Sequence, residues 1–155
     1  MATEKSGIKR IVVGVDGSDQ AAAALKWAIR MAKGMGSQIT AVYGIHIPTY
    51  FPEPYAIPVQ FDESWRAEMK TEFEGKWCKP LSVSAIRYRT VMENGRPASV
   101  IAAVAERENA DIIVVGRRGR GGIAELLLGS VSHELVLHST RPVLLISPQK
   151  VGERK

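Results

Sequence analysis

Five short apolar runs, each separated from the next by residues that can form a helix, constrain this chain more than any other feature of it. In "KRIVVGVDGS" the β-branched run Ile11 to Val15 stops at Asp16-Gly17-Ser18, which reads as a buried strand leaving through a turn. "AAAALKWAIRMAKGMG" then places Ala21, Leu25, Ala28 and Ala32 on one helical face and Lys26, Arg30 and Lys33 on another, with Gly34 and Gly36 to end it. "QITAVYGIHI" repeats the strand signal. Four prolines in "PTYFPEPYAIP" make the next piece an irregular excursion, and from Asp62 to Lys79 the composition suits a helix limited by Gly75 and Lys79-Pro80. "SAIRYRTVM" alternates Ile86, Tyr88, Thr90 and Met92 against Arg87 and Arg89, the pattern of an edge strand with one wet face. "ENGRPASVIAAVAERENA" supplies a turn at Asn94-Gly95, a proline near the helix start at Pro97, and an apolar face at Val100, Ile101 and Val104. "DIIVV" is a fourth strand, Ser130 to His138 a helix, and "RPVLLISP" a fifth strand closed by Pro148. Strands alternating with helices throughout predict an α/β layered fold around a mostly parallel sheet.

The 155 residues, 45% hydrophobic and 24% charged, are in the range of one domain with a single core, and no internal repeat or linker divides them. No apolar run approaches the roughly 20 residues of a membrane span, and Met1 to Lys9 is polar, so the expectation is a cytoplasmic protein with no membrane partner. The single cysteine, Cys78, excludes an intramolecular disulfide and reads as an ordinary helix residue. His133 and His138 share the last helix five positions apart, which turns them to different faces and speaks against a metal pair. Trp27, Trp65 and Trp77 read as packing residues.

The chemistry concentrates in "DIIVVGRRGRGGIAELLLGSVSHEL". In open α/β sheets ligands bind beyond the carboxyl ends of the strands, where the strand order reverses. Two segments stand at such ends: Asp16-Gly17-Ser18 after the first strand and Gly116 to Ser132 after the fourth. Glycines at 116, 119 and 129 let backbone amides approach an anion, and Ser130 and Ser132 lie at a helix start whose first amides lack intrahelical acceptors and whose dipole favours negative charge. Arg117, Arg118 and Arg120 concentrate the net charge of +5 on this loop, which attracts a nucleotide or another polyanion. Plainer readings stand beside these: Gly129-Ser130 as a simple helix start with serine as N-cap, Asp16 as a turn residue, and the arginines as a solvated cluster.

The spacing Gly116, two residues, Gly119, nine residues, Gly129-Ser130, with "VVGVDGS" before it and "GSVSHELVLHSTRPVLLI" after it, resembles the ATP-binding branch of the universal stress protein family. The likeness runs from about Ile8 to Pro148. It implies a single domain over residues 1–155 with an open five-stranded parallel sheet in the order 3-2-1-4-5, helices on both faces, in the manner of the adenine nucleotide alpha hydrolase-like fold. It also implies ATP, with magnesium, between the first and fourth strands. On that likeness Asp16 holds the ribose or adenine side, Val42 or its neighbour Ala41 lines the adenine pocket, and Gly116, Arg117, Gly119, Gly129, Ser130, Val131 and Ser132 hold the ribose and phosphates. In that topology Val143 to Ile146 becomes an apolar edge, which predicts a homodimer through the fifth strand, an arrangement the family also favours.

The sequence lacks a Walker-type lysine after a glycine-rich loop and a G-x-S-x-G elbow, and Asp16 is the only acid placed near the proposed site. The reading is a nucleotide-binding stress or signalling module with at most slow ATP hydrolysis. Cyclic AMP as the ligand, and a weak ATPase, remain alternatives. The absence of an aromatic residue between Arg117 and Arg120 speaks against nucleic acid as the partner.

Overall fold

The computed structural model describes residues 7–46, 63–119 and 128–148. The chain runs β1 (Arg10–Gly14), α1 (Asp19–Met35), β2 (Gln38–Ile45), α2 (Glu63–Glu72), a π-helical turn (Phe73–Trp77), α3 (Lys79–Ser82), β3 (Tyr88–Asn94), α4 (Pro97–Arg107), β4 (Ile112–Gly116), α5 (Ser130–His138) and β5 (Val143–Ile146). All strand pairs are parallel and the order is β3-β2-β1-β4-β5, as the sequence reading requires. The Pro48 to Pro58 excursion, Arg120 and Gly121-Gly122 lie outside the described residues.

Alternation along the central strands feeds two cores. Ile11, Val13, Ile39, Ala41 and Val114 join α1, whose Ala24, Leu25, Ala28 and Ala32 are buried, and Phe73 and Leu81 complete that layer. Val12, Val42, Ile113 and Val115 turn to the opposite face and pack with Val100, Ile101 and Val104 of α4 and Leu135 of α5. Each fully buried aliphatic side chain of this kind contributes about 1.5–3 kcal/mol. A sheet buried on both faces needs strands that are apolar throughout, which is why β1 and β4 read as continuous runs rather than alternating ones.

Helix ends follow from local chemistry. Ser18 caps α1, its hydroxyl accepting from the Ala21 amide at 3.1 Å, and Gly36 closes α1 at φ 68°. Pro97 opens α4 at a position where its missing N–H costs nothing.

Three expectations change. The helix between Asp62 and Lys79 is broken into α2, the π turn and α3, because the aromatic pair Phe73 and Trp77 turns inward onto Tyr43 (centroids 5.7 and 5.1 Å away) and Pro80 restarts the helix. Cys78 is buried at that junction. β3 is the edge, yet both of its faces are partly covered: Met92 packs on the α1 side, Val91 on the α4 side, and Arg89 pairs with Glu108 at 2.5 Å. Trp27 is not a core residue; it is 42% exposed on the outer face of α1, with the Arg30 guanidinium 4.9 Å from its ring centre.

Candidate functional site

β1 sends the chain through α1 to β2 on one side, while β4 lies on its other side, so the order reverses between β1 and β4. A cleft opens at the carboxyl ends of these two strands. It encloses about 510 Å³ including its mouth, within the range of about 300–1,000 Å³ typical of small-molecule sites.

Its walls come from the strand ends and the two helices that follow them. Val42, Ile101, Val115 and Val131 give it an apolar floor, and Asp16 and Ser18 stand at one rim. Asp16 is fixed by its own turn: its Oδ1 accepts from the Ser18 amide at 2.9 Å. On the other rim lies the uncapped start of α5. The cap position is Gly129, with no side chain to bond the first amides, and Ser130 is already helical. Serine as N-cap is therefore the wrong assignment, because the chain enters the helix one residue earlier. α1 and α5 thus differ at their amino ends: the first is satisfied by Ser18, while the second offers amide donors and the positive end of its dipole beside the cleft.

The loop between β4 and α5 is held from both sides. The Arg117 amide donates to the Ile146 carbonyl at 2.8 Å, the Gly129 amide to the Arg117 carbonyl at 2.9 Å, and the Arg118 amide to Gln20 Oε1 at 2.8 Å. Ser132 is 2% exposed and donates to the Arg117 carbonyl at 2.6 Å and to that of Gly116 at 3.1 Å. Its single proton is spent on the loop, so toward a ligand this hydroxyl can only accept. Arg96 at the start of α4 pairs with Glu134 of α5 at 3.0 Å, tying together two helices that line the cleft.

The three motif glycines stand where chain meets chain. A Cβ on Gly116 would come within 2.9 Å of the Gln20 backbone, one on Gly119 within 2.6 Å of Asp16 Oδ2, and one on Gly129 within 3.1 Å of the Arg118 Cα. Close packing of the loop on α1, on Asp16 and on itself demands these glycines before any ligand is considered.

Of the residues expected at the site, Asp16, Val42, Gly116, Gly119, Val131 and Ser132 line the cleft. Ala41 does not: it faces the α1 core on the other side of the sheet. Arg117, Gly129 and Ser130 are not in the lining; Arg117 acts through its main chain in bracing the loop, and it is Arg118 that reaches the cleft. Sequence reasoning missed Gly14, Tyr43, Gly44, Pro97 and Ile101. A signal existed for Gly44, a glycine inside an apolar strand, since a Cβ there would lie 2.7 Å from the Pro97 Cα. Among the described residues no three His, Cys, Asp or Glu side chains gather as a metal site, and no helix is long and apolar enough to cross a membrane.

Comparison with known proteins agrees with this architecture. The universal stress protein family profile matches residues 7–147. A universal stress protein of Methanocaldococcus jannaschii is 31% identical over 142 residues, 92% of this chain and 84% of that one. Among solved structures, universal stress protein UspA from Lactobacillus plantarum is similar with a TM-score of 0.76 at 26% identity, over 91% of this chain and 99% of its own. A universal stress protein solved in complex with cAMP is similar with a TM-score of 0.67 at 25% identity, over 92% of this chain and 98% of its own. With nearly its whole length matched by the family profile and its fold shared with these structures, the chain belongs to the universal stress protein family.

Proposed function

We propose that the cleft binds an adenine nucleotide, ATP before others, and that the protein works as a nucleotide-responsive stress or signalling module rather than as an efficient enzyme. The observation that carries this reading is the pairing of opposite rims: a fixed carboxylate at Asp16 and an uncapped helix start at Gly129-Ser130, with an apolar floor between them. A carboxylate accepts from ribose hydroxyls or an amino group and repels phosphate; free amides at a helix start do the reverse. The nucleoside therefore belongs toward Asp16 and the phosphates toward α5. Arg118 adds positive charge on the lining. A magnesium ion fits only as a companion of the phosphates, because Asp16 is the sole carboxylate on the lining. For the same reason hydrolysis is at most slow: a second acid to hold metal or activate water is missing from the lining.

Cyclic AMP is the second reading, favoured by the similar structure solved with that ligand. β5 is an apolar edge strand whose first three residues stay partly exposed, and Val136 and Leu137 of α5 are exposed. These features support a homodimer through β5. A cytoplasmic location fits this reading.

Calorimetric titration of nucleotide-stripped protein with magnesium ATP, and with cyclic AMP in parallel, tests it. Binding of ATP near one per chain, weakened in Asp16→Asn, is the expected result. A preference for cyclic AMP would recast the ligand, and silence with both would leave the cleft without a nucleotide role.

A further inference from the structure

A second concavity of about 700 Å³ lies at the opposite end of the sheet, at the amino ends of β1, β2 and β3. Its wall is built from the residues entering β1, the last turn of α1 with the turn into β2, and the segment Ser84 to Arg87 before β3. Four cations from these segments line it: Lys9, Arg10, Lys33 and Arg87. No carboxylate is part of the lining, and among the described residues none of the four cations makes a side-chain ion pair.

Two negative features lie nearby and do not account for them. The carboxyl end of α1 carries about half a negative charge, which Lys33 in its last turn is enough to offset. Asp111 spends Oδ2 on the main-chain amides of Lys9 and Arg10, at 2.7 and 2.8 Å, and stays outside the lining. The rest of the wall is held for shape. Arg10 is fixed by donating to the Glu108 carbonyl at 2.9 Å, Ser37 by donating to the Ile8 carbonyl at 2.6 Å, and Ser84 by donating to the Leu81 carbonyl at 2.6 Å. Ala85 beside them sits at φ 60°, a conformation a non-glycine residue keeps only where its surroundings impose it.

We propose that this basic concavity is a second ligand site, separate from the cleft, for a small soluble molecule carrying several phosphate groups. Cations converging from separate segments on one hollow suit clustered phosphates, with each arginine able to donate two parallel bonds to a phosphate. Concavity favours a compact ligand over a nucleic acid, which needs an open track and stacking aromatics. The hollow's own lining contains no aromatic residue.

The probe is inorganic tripolyphosphate, added to the isotope-labelled full chain at about 150 mM salt, where weak surface attraction is largely screened. Amide resonances report where it binds. Saturable shifts at Lys9, Arg10, Gly36, Ser37 and Arg87 are expected, whether or not the resonances of Gly116 and Gly119 also respond. The double variant Lys33→Glu, Arg87→Glu should weaken binding at the first group by at least about tenfold, as reversal of two charge-assisted contacts requires, and leave any response at the second group unchanged. Absence of saturable shifts at the first group, or shifts that the double variant does not alter, would overturn the proposal. So would tighter binding there of a single-stranded oligonucleotide, or of vesicles bearing a phosphorylated inositol lipid, than of tripolyphosphate. Because the two groups of amides report separately, failure of this site and failure of the nucleotide reading are distinguishable.

Discussion

Gly119→Ala tests whether the position of one carboxylate sets the affinity of the cleft. The new Cβ would stand 2.6 Å from Asp16 Oδ2, whereas a carbon–oxygen contact settles at about 3.3 Å or more, so one of them must move by about 0.7 Å. The carboxylate is the softer partner: it is the end of a side chain, held in its turn by the Ser18 amide at 2.9 Å. Loss of that bond costs about 0.5–1.5 kcal/mol. Gly119 is outside the left-handed region, so alanine fits its backbone and returns about 0.4–1 kcal/mol by restricting the unfolded chain. The two nearly cancel, and urea unfolding should place the variant within about 1 kcal/mol of the wild type. Binding should respond far more. A hydrogen bond to a charged group contributes about 1.5–3 kcal/mol, so displacing Asp16 should raise the dissociation constant for an adenine nucleotide by about 10- to 150-fold. Asp16→Asn, which keeps an oxygen for the Ser18 amide but loses the charge, should weaken binding while leaving the turn intact. A folded Gly119→Ala protein that binds as the wild type does would refute the role given to Asp16.

Gly116→Ala should behave oppositely, because its Cβ meets main chain of α1 at 2.9 Å rather than a movable side chain; a loss of about 1–3 kcal/mol in urea unfolding is expected. Burial, with Glu74 adding to it, pushes the Cys78 thiol from 9.0 up to about 12, so it should react with a thiol reagent at pH 8 only on the timescale of unfolding. The folded state holds that proton while the unfolded chain releases it, so stability should fall as pH rises from about 9 toward about 12, less steeply in Cys78→Ala, as urea midpoints across that range would show. The Ile113 and Arg117 amides donate to the Pro142 and Ile146 carbonyls, which by parallel-strand alternation turns the main chain of Val143 outward; Val143→Pro should dissociate the proposed dimer in sedimentation at micromolar concentration while the monomer stays folded.

How much of this was legible in the sequence depended on whether a residue's role shows in its neighbours along the chain. The strands of the sheet were legible because apolar β-branched runs between helix-compatible segments have few other uses. The choice between Ala41 and Val42 was not: both are fully buried, and a strand apolar on both faces carries no alternation to say which face holds the cleft. The π turn escaped for a related reason. "FEGKW" has no helical period, and what bends it inward is the contact of Phe73 and Trp77 with Tyr43, thirty or more positions away.

The glycine spacing located the loop correctly but gave an incomplete reason for it. From sequence, each glycine reads as room for a phosphate; in the fold, Gly116 makes room for α1, Gly119 for Asp16 and Gly129 for the loop's own first arm. These requirements come from different partners, and only Gly129 sits at the helix start where an anion would approach. It follows that Gly129→Glu is a poor test of ligand contact taken alone, since its side chain must first displace main chain at Arg118, 3.1 Å away. A substitution that leaves the loop's packing untouched tests the site more directly. Val131 lines the cleft from the first turn of α5 and is only partly buried, so Val131→Glu adds a negative charge beside the proposed phosphates without filling a space the chain already occupies. If nucleotide affinity survives that charge, the phosphates do not lie at α5, and Asp16 with the apolar floor would have to be holding the ligand from the other end.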